Sequence, residues 1–481
     1  MNVRIIFRVL GLLLLIEGVA MLFALIVSVL YQEYDQSAFL ISSGINVLLG
    51  IMILYFTRNA RRDIGRREGY IIVSSVWIVF SFFGSLPYVI SGAIPNFTNA
   101  FFETISGFTT TGSSILADIE ALPHGILFWR SMTQWLGGMG IIVLSLAILP
   151  VFGIGGMQLF MAEVPGPTPD RISPRIRQTA KTLWGIYLIF TVAETLFLKL
   201  AGMEFFDAIC HSFTTMATGG FSTKQASIAH WSSPAIQYII VVFMFLAGTN
   251  FTLSYLAIKG KFRRVFTDEE FKYYGWFVIG FTLVIFSGLL ISSNIGIEKA
   301  FRDSIFQVVS IMTTTGYATA DYLLWTPILT VIIFALFFFG GSAGSTGGSI
   351  KIMRIVLLLK NSYYELRRMV HPHAIIPVKF NKHSVDPKII TNVLAFFMFY
   401  FVIFGFSTVI FSLIEPDMES AMGAVATSLG NIGPGLGNVG PAENFLHIKP
   451  AGKWFLSFLM LLGRLELFTV LVLFSPALWK E

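Results

Sequence analysis

Charged residues are scarce in this 481-residue chain, at 12% against ~25% in a typical soluble protein. Length alone would suggest about three soluble domains. With AVILMFWYC at 55%, 48 Phe, 43 Gly and a mean hydropathy of +0.75, no water-soluble core could hide the apolar surface. The chain reads as an integral membrane protein. Cysteine is almost absent, and Cys210 alone excludes an intrachain disulfide and a cysteine-based zinc site. No nucleophile–base set or metal-ligand cluster stands at membrane depth, which disfavours an enzyme. The 33 Lys and Arg outnumber the 27 Asp and Glu for a net charge of +6, an excess that orients a membrane chain rather than binding nucleic acid.

Arg4 and Arg8 precede an apolar run that reaches about Val29 and is broken only by Glu17. A signal-peptide core of ~7–15 residues is shorter, so the run reads as a retained transmembrane helix. Further apolar segments fall near 38–57, 70–93, 125–152, 183–201, 235–258, 274–292, 325–358, 390–414 and 453–475. Each can cross a hydrocarbon core of ~30 Å. Four basic loops then alternate with weakly charged ones. They hold Arg58, Arg61, Arg62, Arg66 and Arg67; Arg171, Arg175, Arg177 and Lys181; Lys259, Lys261, Arg263, Arg264 and Lys272; and the stretch from Lys351 to Lys388. Ten crossings put all four on one side with Arg4, Arg8 and Lys480, and the positive-inside rule makes that side, and both termini, cytoplasmic.

Four shorter amphipathic pieces remain on the outer side, near 100–108, 205–215, 300–312 and 418–429. They are too short to span and read as re-entrant half-helices, which are tolerated where protein or a water-filled cavity satisfies the backbone. Each runs into a Thr/Gly segment: Thr109-Thr110-Thr111-Gly112, Met216-Ala217-Thr218-Gly219 (then Gly220), Thr313-Thr314-Thr315-Gly316, and Gly430-Asn431-Ile432-Gly433. The register of the second is open by one residue, because its half-helix is out of phase with the others. The expected fold class is an all-α polytopic membrane protein. An N-terminal helix pair (1–68) precedes four parallel repeats of span, half-helix, filter and span around one pore, at 69–170, 171–265, 266–385 and 386–481.

A half-helix entering from outside turns its C-terminal carbonyls and negative dipole end toward the membrane centre. Four such ends favour a cation without any buried carboxylate. The Thr/Gly segments would line the axis with backbone carbonyls and Thr hydroxyls that replace a cation's hydration shell. Glycine serves where φ is positive or where four backbones crowd one axis. One TTTG is an ordinary loop; four in the same setting are not. The candidate binding residues are Thr110, Thr111, Gly112, Thr218, Gly219, Thr315, Gly316, Ile432 and Gly433.

Thr109–Ser113, Ala217–Ser222, Thr313–Tyr317 and Asn431–Gly437 resemble the four filters of Trk-type (TrkH/TrkG) bacterial potassium-uptake proteins, in the Trk/Ktr/HKT superfamily. The likeness covers the whole chain, the N-terminal pair included. It implies potassium as the transported ion with no cofactor, a multi-pass protein of the bacterial inner membrane, a homodimer, and a cytosolic TrkA-like nucleotide-binding regulatory ring. The fourth segment departs from the Thr-rich pattern, since Asn431-Ile432-Gly433-Pro434 brings no hydroxyl.

The span after the third segment is broken by Gly340-Gly341-Ser342-Ala343-Gly344-Ser345-Thr346-Gly347-Gly348. At ~1 kcal/mol per glycine this stretch should be unwound, and unwound backbone at this depth must face protein or a water-filled cavity. The resemblance makes it an intramembrane gating loop, with Gly344, Ser345, Thr346 and Gly347 at its centre; close helix packing through small residues is the alternative. No Gly-Lys-Ser/Thr follows, which excludes a nucleotide phosphate loop. Arg464 lies inside the last span, where a charge is costly and a functional role is the default. The resemblance has it project into the pore below the filter; a charge pair with a neighbouring helix is the alternative.

Gly435-x-Gly437-x-x-Gly440 matches a dinucleotide pattern without its strand, and His371 and His373 read as solvated loop residues. Glu17 and Glu194 could relay protons, although snorkelling or a helix–helix hydrogen bond is the simpler reading. A channel-like potassium subunit regulated from inside is the leading function, and an H⁺- or Na⁺-coupled symporter the rival.

Overall fold

A computed structural model of the chain describes residues 1–60, 64–138, 140, 176–374 and 376–480. Arg61, Arg62, Arg171 and Arg175, the end of the expected span 125–152 and the boundary near residue 170 lie outside the described residues.

Among the described residues, six helices are long and apolar enough to cross a membrane: Val3–Leu30, Gln36–Phe56, Arg67–Ile90, Ala180–Leu200, Glu269–Ser292 and Pro387–Phe411. The first two form the N-terminal pair, in close contact where Gly11 faces Gly50 and Ile53, and where Ser43 donates to the Gly18 carbonyl at 2.8 Å. Small residues allow that approach in a lipid setting, where apolar surface alone gives little drive. The other four each lead into a half-helix, at Phe97–Phe108, Phe205–Met216, Ile297–Met312 and Met418–Gly430. The first and third start three residues earlier than apolar runs suggest, because their first turns are polar. Asn96 caps the first by accepting from the Asn99 amide. Past the first turn or so the half-helices are buried nearly all round, as suits helices enclosed by others.

Each half-helix is followed by its Thr/Gly segment and then a return helix, at His124–Gly138, Pro234–Ala247, Pro327–Leu336 and Pro450–Arg464. Continuous spans were expected over 235–258 and 453–475; instead Pro234–Ala247 meets Phe251–Ile258, and Pro450–Arg464 meets Phe468–Phe474, each at 109°. The break is thus shared and not peculiar to the third repeat. Asn250 starts a new helix by capping the Thr252 amide at 2.8 Å, and Glu466 and Leu467 take positive φ at the second bend. The one sheet among the described residues is a hairpin pairing Lys379–Phe380 with His383–Ser384, turned by Asn381 and Lys382 at positive φ.

Glu17 is fully buried with neither oxygen hydrogen-bonded among the described residues, against both simple readings of it. Glu194 is buried beside Thr215 of the second half-helix.

Candidate functional site

All four half-helices end alike. The chain turns left-handed at Thr110, Thr218, Thr314 and Asn431, with φ of 55°, 53°, 59° and 53°. The next amide then donates five residues back. Thr111 reaches Ser106, Gly219 reaches Thr214 and Thr315 reaches Ser310 at 2.8 Å each, and Ile432 reaches Thr427 at 3.0 Å. That bond closes a Schellman motif, whose left-handed residue is usually glycine. Three β-branched threonines hold it here, at ~1–2 kcal/mol each, so the surrounding packing must impose the conformation. Two residues on, Gly112, Gly220, Gly316 and Gly433 take φ of 87°, 76°, 79° and 103°.

This geometry corrects the register of the second segment. Its members are Ala217-Thr218-Gly219-Gly220, and Gly220, not Gly219, matches Gly112, Gly316 and Gly433. The sequence offers two adjacent glycines, and only the backbone torsion tells them apart. Gly220, Thr314 and Asn431 therefore join the candidate set.

The four segments close into a ring. A Cβ on Gly112 would run into the Gly219 carbonyl oxygen, on Gly220 into that of Thr315, on Gly316 into that of Ile432, and on Gly433 would lie 2.9 Å from that of Thr111. First touches second, second third, third fourth, and fourth first. The carbonyls of Thr111, Gly219, Thr315 and Ile432 thus share one level, each against the next segment's neighbour. Ser113 also donates to the Gly433 carbonyl at 3.1 Å, and Asn431 Nδ2 to Thr111 Oγ1 at 2.9 Å.

The expected lining by Thr hydroxyls is not what the bonds describe. Thr109 Oγ1 donates to the Ile105 carbonyl, so the proton in its 2.8 Å contact with Thr111 Oγ1 comes from Thr111. Thr313 and Thr315 repeat this at 2.7 Å. These pairs brace the segments internally and occupy the Thr111 and Thr315 hydroxyls within their own segments. Thr110 and Thr314 hydroxyls are engaged at the end of the ring beside the half-helix C termini, by Arg464 at 3.0 Å and by the Gly348 amide at 2.6 Å.

The glycine-rich break is unwound, as expected, and lies against that same end. Gly340 N donates to the Ile350 carbonyl at 2.8 Å, so the ends of the loop meet. Thr346 Oγ1 donates to the Met216 carbonyl of the second half-helix at 3.1 Å, Gly347 packs on the Thr313 carbonyl, and Gly348 on that of Gly430. Arg464 adds the first repeat through Thr110, and also donates to Thr346 O at 2.9 Å, Gly137 O at 2.6 Å and Gly138 O at 2.9 Å. Loop and arginine together thus touch all four repeats. The carboxylate nearby, Glu466, pairs instead with Arg354. Sequence reasoning missed Glu270, whose Oε1 accepts from Ala343 N at 2.7 Å and Met353 N at 3.2 Å and so holds both sides of the loop. It sits at a helix start among other acids, where nothing local marks it.

Behind the ring, buried Arg130 and Glu103 pair at 2.6 Å. Arg130 also donates to the Ser222 carbonyl at 2.8 Å and lies over Phe221, tying the first repeat to the second. Removing one member of a buried pair costs ~3–5 kcal/mol because the other is left uncompensated. Glu103→Ala should accordingly lower the thermal unfolding midpoint in detergent by several degrees. Glu120→Ala, at the exposed Lys224 pair, should leave it within error. Equal midpoints would contradict the pair's anchoring role.

These features define an all-α polytopic membrane protein whose four repeats converge on one carbonyl ring. The cation transport protein family TrkH matches residues 35–481. The Trk system potassium uptake protein TrkH of Escherichia coli K12 is 42% identical over 100% of both chains, and TrkG of the same strain 33% identical over 100% of this chain and 99% of that one. The crystal structure of the potassium transporter TrkH from Vibrio parahaemolyticus superposes with a TM-score of 0.89 at 40% identity, covering 100% of each chain. The chain belongs to the TrkH family of cation transport proteins.

Proposed function

We propose that this protein is the potassium-translocating subunit of a potassium-uptake system of the bacterial inner membrane, channel-like, with both termini cytoplasmic. The observation that carries this reading is the closed ring of Thr111, Gly219, Thr315 and Ile432 carbonyls at the C-terminal ends of four half-helices. Carbonyls and helix dipoles offer a cation a substitute for its hydration shell with no fixed negative charge that would trap it. The potassium-uptake names of relatives such as the 42% identical Escherichia coli protein support potassium as the cargo. The division into a helix pair, 1–68, and repeats 69–170, 171–265, 266–385 and 386–481 follows from this reading as one unit of pore wall per repeat.

On the same reading the 340–350 loop, with Gly344, Ser345, Thr346 and Gly347, and Arg464 form the gate. A cation leaving the ring toward the half-helix C termini meets unwound backbone and a guanidinium. The assembly is a homodimer regulated by a cytosolic TrkA-like nucleotide-binding ring. Arg367 is exposed on the helix Ile352–Val370, which directly follows the loop, while Arg368 is partly taken up by Glu365 and the Ile376 carbonyl. Neutralising both should weaken capture of that ring, more so as salt screens the remaining charge. A pull-down indifferent to both changes would remove this helix from the docking surface.

Coupling to H⁺ or Na⁺ is the second reading, favoured by Glu17 and Glu194 buried within membrane helices. Potassium flux in proteoliposomes under a potassium gradient alone is expected. Strict dependence on a proton or sodium gradient would favour the symporter, and no potassium flux under any gradient would overturn both.

A further inference from the structure

The four segments are not braced in the same way. In the first and third, a Thr pair ties the ring residue back to its half-helix, Thr111 to Thr109 and Thr315 to Thr313. In the fourth, the Ile432 side chain packs against Gly430. The second has Ala217 and Gly219 at the corresponding places and so has no hydroxyl and no side chain of its own to hold the ring carbonyl.

Gln134, on the first return helix, stands in that gap. Its Nε2 donates to the Gly219 carbonyl at 2.7 Å and its Oε1 accepts from the Phe221 amide at 3.0 Å, so one side chain brackets Gly220 from both sides. Gly219 is not at positive φ. A Cβ there would fall on the Gln134 amide, with its Nε2 2.7 Å away. Glycine is required because Gln134 fills the space that Thr111 and Thr315 fill for themselves.

The position is unusual for a polar residue. Gly137 faces the Phe108 carbonyl as Gly463 faces that of Leu429, two residues before the left-handed Thr110 and Asn431. Gly138 faces Ala217 and the Tyr187 hydroxyl as Gly248 faces Thr313 and the Tyr274 hydroxyl. These matches superimpose Gln134 on Met244 and Met460, both fully buried. A buried amide where two repeats place methionine would be costly without its hydrogen bonds. It donates one and accepts one, and the donated bond goes to a ring carbonyl, whose second lone pair stays available to an ion.

We propose that Gln134 is a specificity-determining positioning residue: its amide supplies in trans the brace that the second segment lacks, orienting the Gly219 carbonyl in the ring. This rests on the potassium-filter reading above. It makes the second segment depend on the first return helix, so discrimination between cations is expected to respond to Gln134 although the residue is not itself one of the ring residues.

The test uses full-length protein in proteoliposomes, measuring potassium and sodium flux and the half-saturating potassium concentration, alongside the melting temperature. Q134M keeps the volume, puts in the side chain found at the two matching positions, and removes both bonds. It should lower the potassium-to-sodium flux ratio, or raise half-saturation, by about tenfold with little change in melting temperature. A second arm rebuilds the brace inside the segment. In Q134A/A217T/G219T the truncation frees the space, and Gly138 leaves room at 217 as Gly248 does at Thr313. The triple variant should recover most of the ratio that Q134A loses. An unchanged ratio and half-saturation in folded Q134M would overturn the proposal, as would a folded triple variant no better than Q134A. If the parent protein itself does not distinguish potassium from sodium, it is the filter reading that fails.

Discussion

Gly220→Ala should abolish potassium uptake, while Gly280→Ala leaves it unchanged. Gly220 sits at φ 76°, and a Cβ there would collide with the Thr315 carbonyl, one of the four ring oxygens. Neither the strained torsion nor the contact can relax without turning that carbonyl or widening the ring. A barrier increase of about 3 kcal/mol is already a loss of more than a hundredfold. Gly280 lies in a membrane helix with nothing within 4 Å of an added Cβ, so it controls for insertion. Gly316→Ala, at φ 79° and against the Ile432 carbonyl, should behave like Gly220→Ala. Uptake in a potassium-requiring host, normalised to inserted protein, is the measurement. Normal uptake by Gly220→Ala would return the anchor role to Gly219 and dissolve the ring.

Arg464→Ala should raise potassium flux by at least about tenfold. A positive charge ~4 Å from a cation opposes it by roughly 4 kcal/mol at an effective dielectric near 20 and by less at greater distance; a third of that is already a factor of ten. The guanidinium also ties Thr110 to Thr346, one end of the ring to the loop. Arg464→Lys keeps the charge but cannot span Thr110, Thr346, Gly137 and Gly138 with one fork. Its flux should fall between parent and alanine variant if tethering contributes, and match the parent if charge alone acts. Deleting 341–347 should raise flux as well, and because Gly340 faces the Gly348 carbonyl the cut ends already lie side by side. If Arg464 serves only the fold, Arg464→Ala will melt earlier with no gain in flux per inserted molecule.

The membrane class, the four half-helices, the break at 340–348 and the placement of Arg464 in the last apolar segment were all legible in the sequence. Each depends on local quantities: run length, hydropathy and glycine density over a single turn or span. The bends after Ala247 and Arg464 were not, because an apolar helix that turns through 109° keeps the same hydropathy as a straight one. Asn250, a side-chain cap inside an apolar run, was the available sign of the first.

The ring itself was half legible. Four Thr/Gly segments with a common setting suggest a shared axis, and the segments that hold Thr110 to Gly433 do contact one another in turn. Which of Gly219 and Gly220 matches the other glycines is a question of φ, and adjacent glycines leave both torsions open until neighbours choose. The role of the Thr hydroxyls, the bonds of Arg464 and the bracket from Gln134 were decided only by the tertiary structure. Each joins residues on different elements, often in different repeats, and such contacts are set by how the helices close around the axis and leave no periodic trace along the chain.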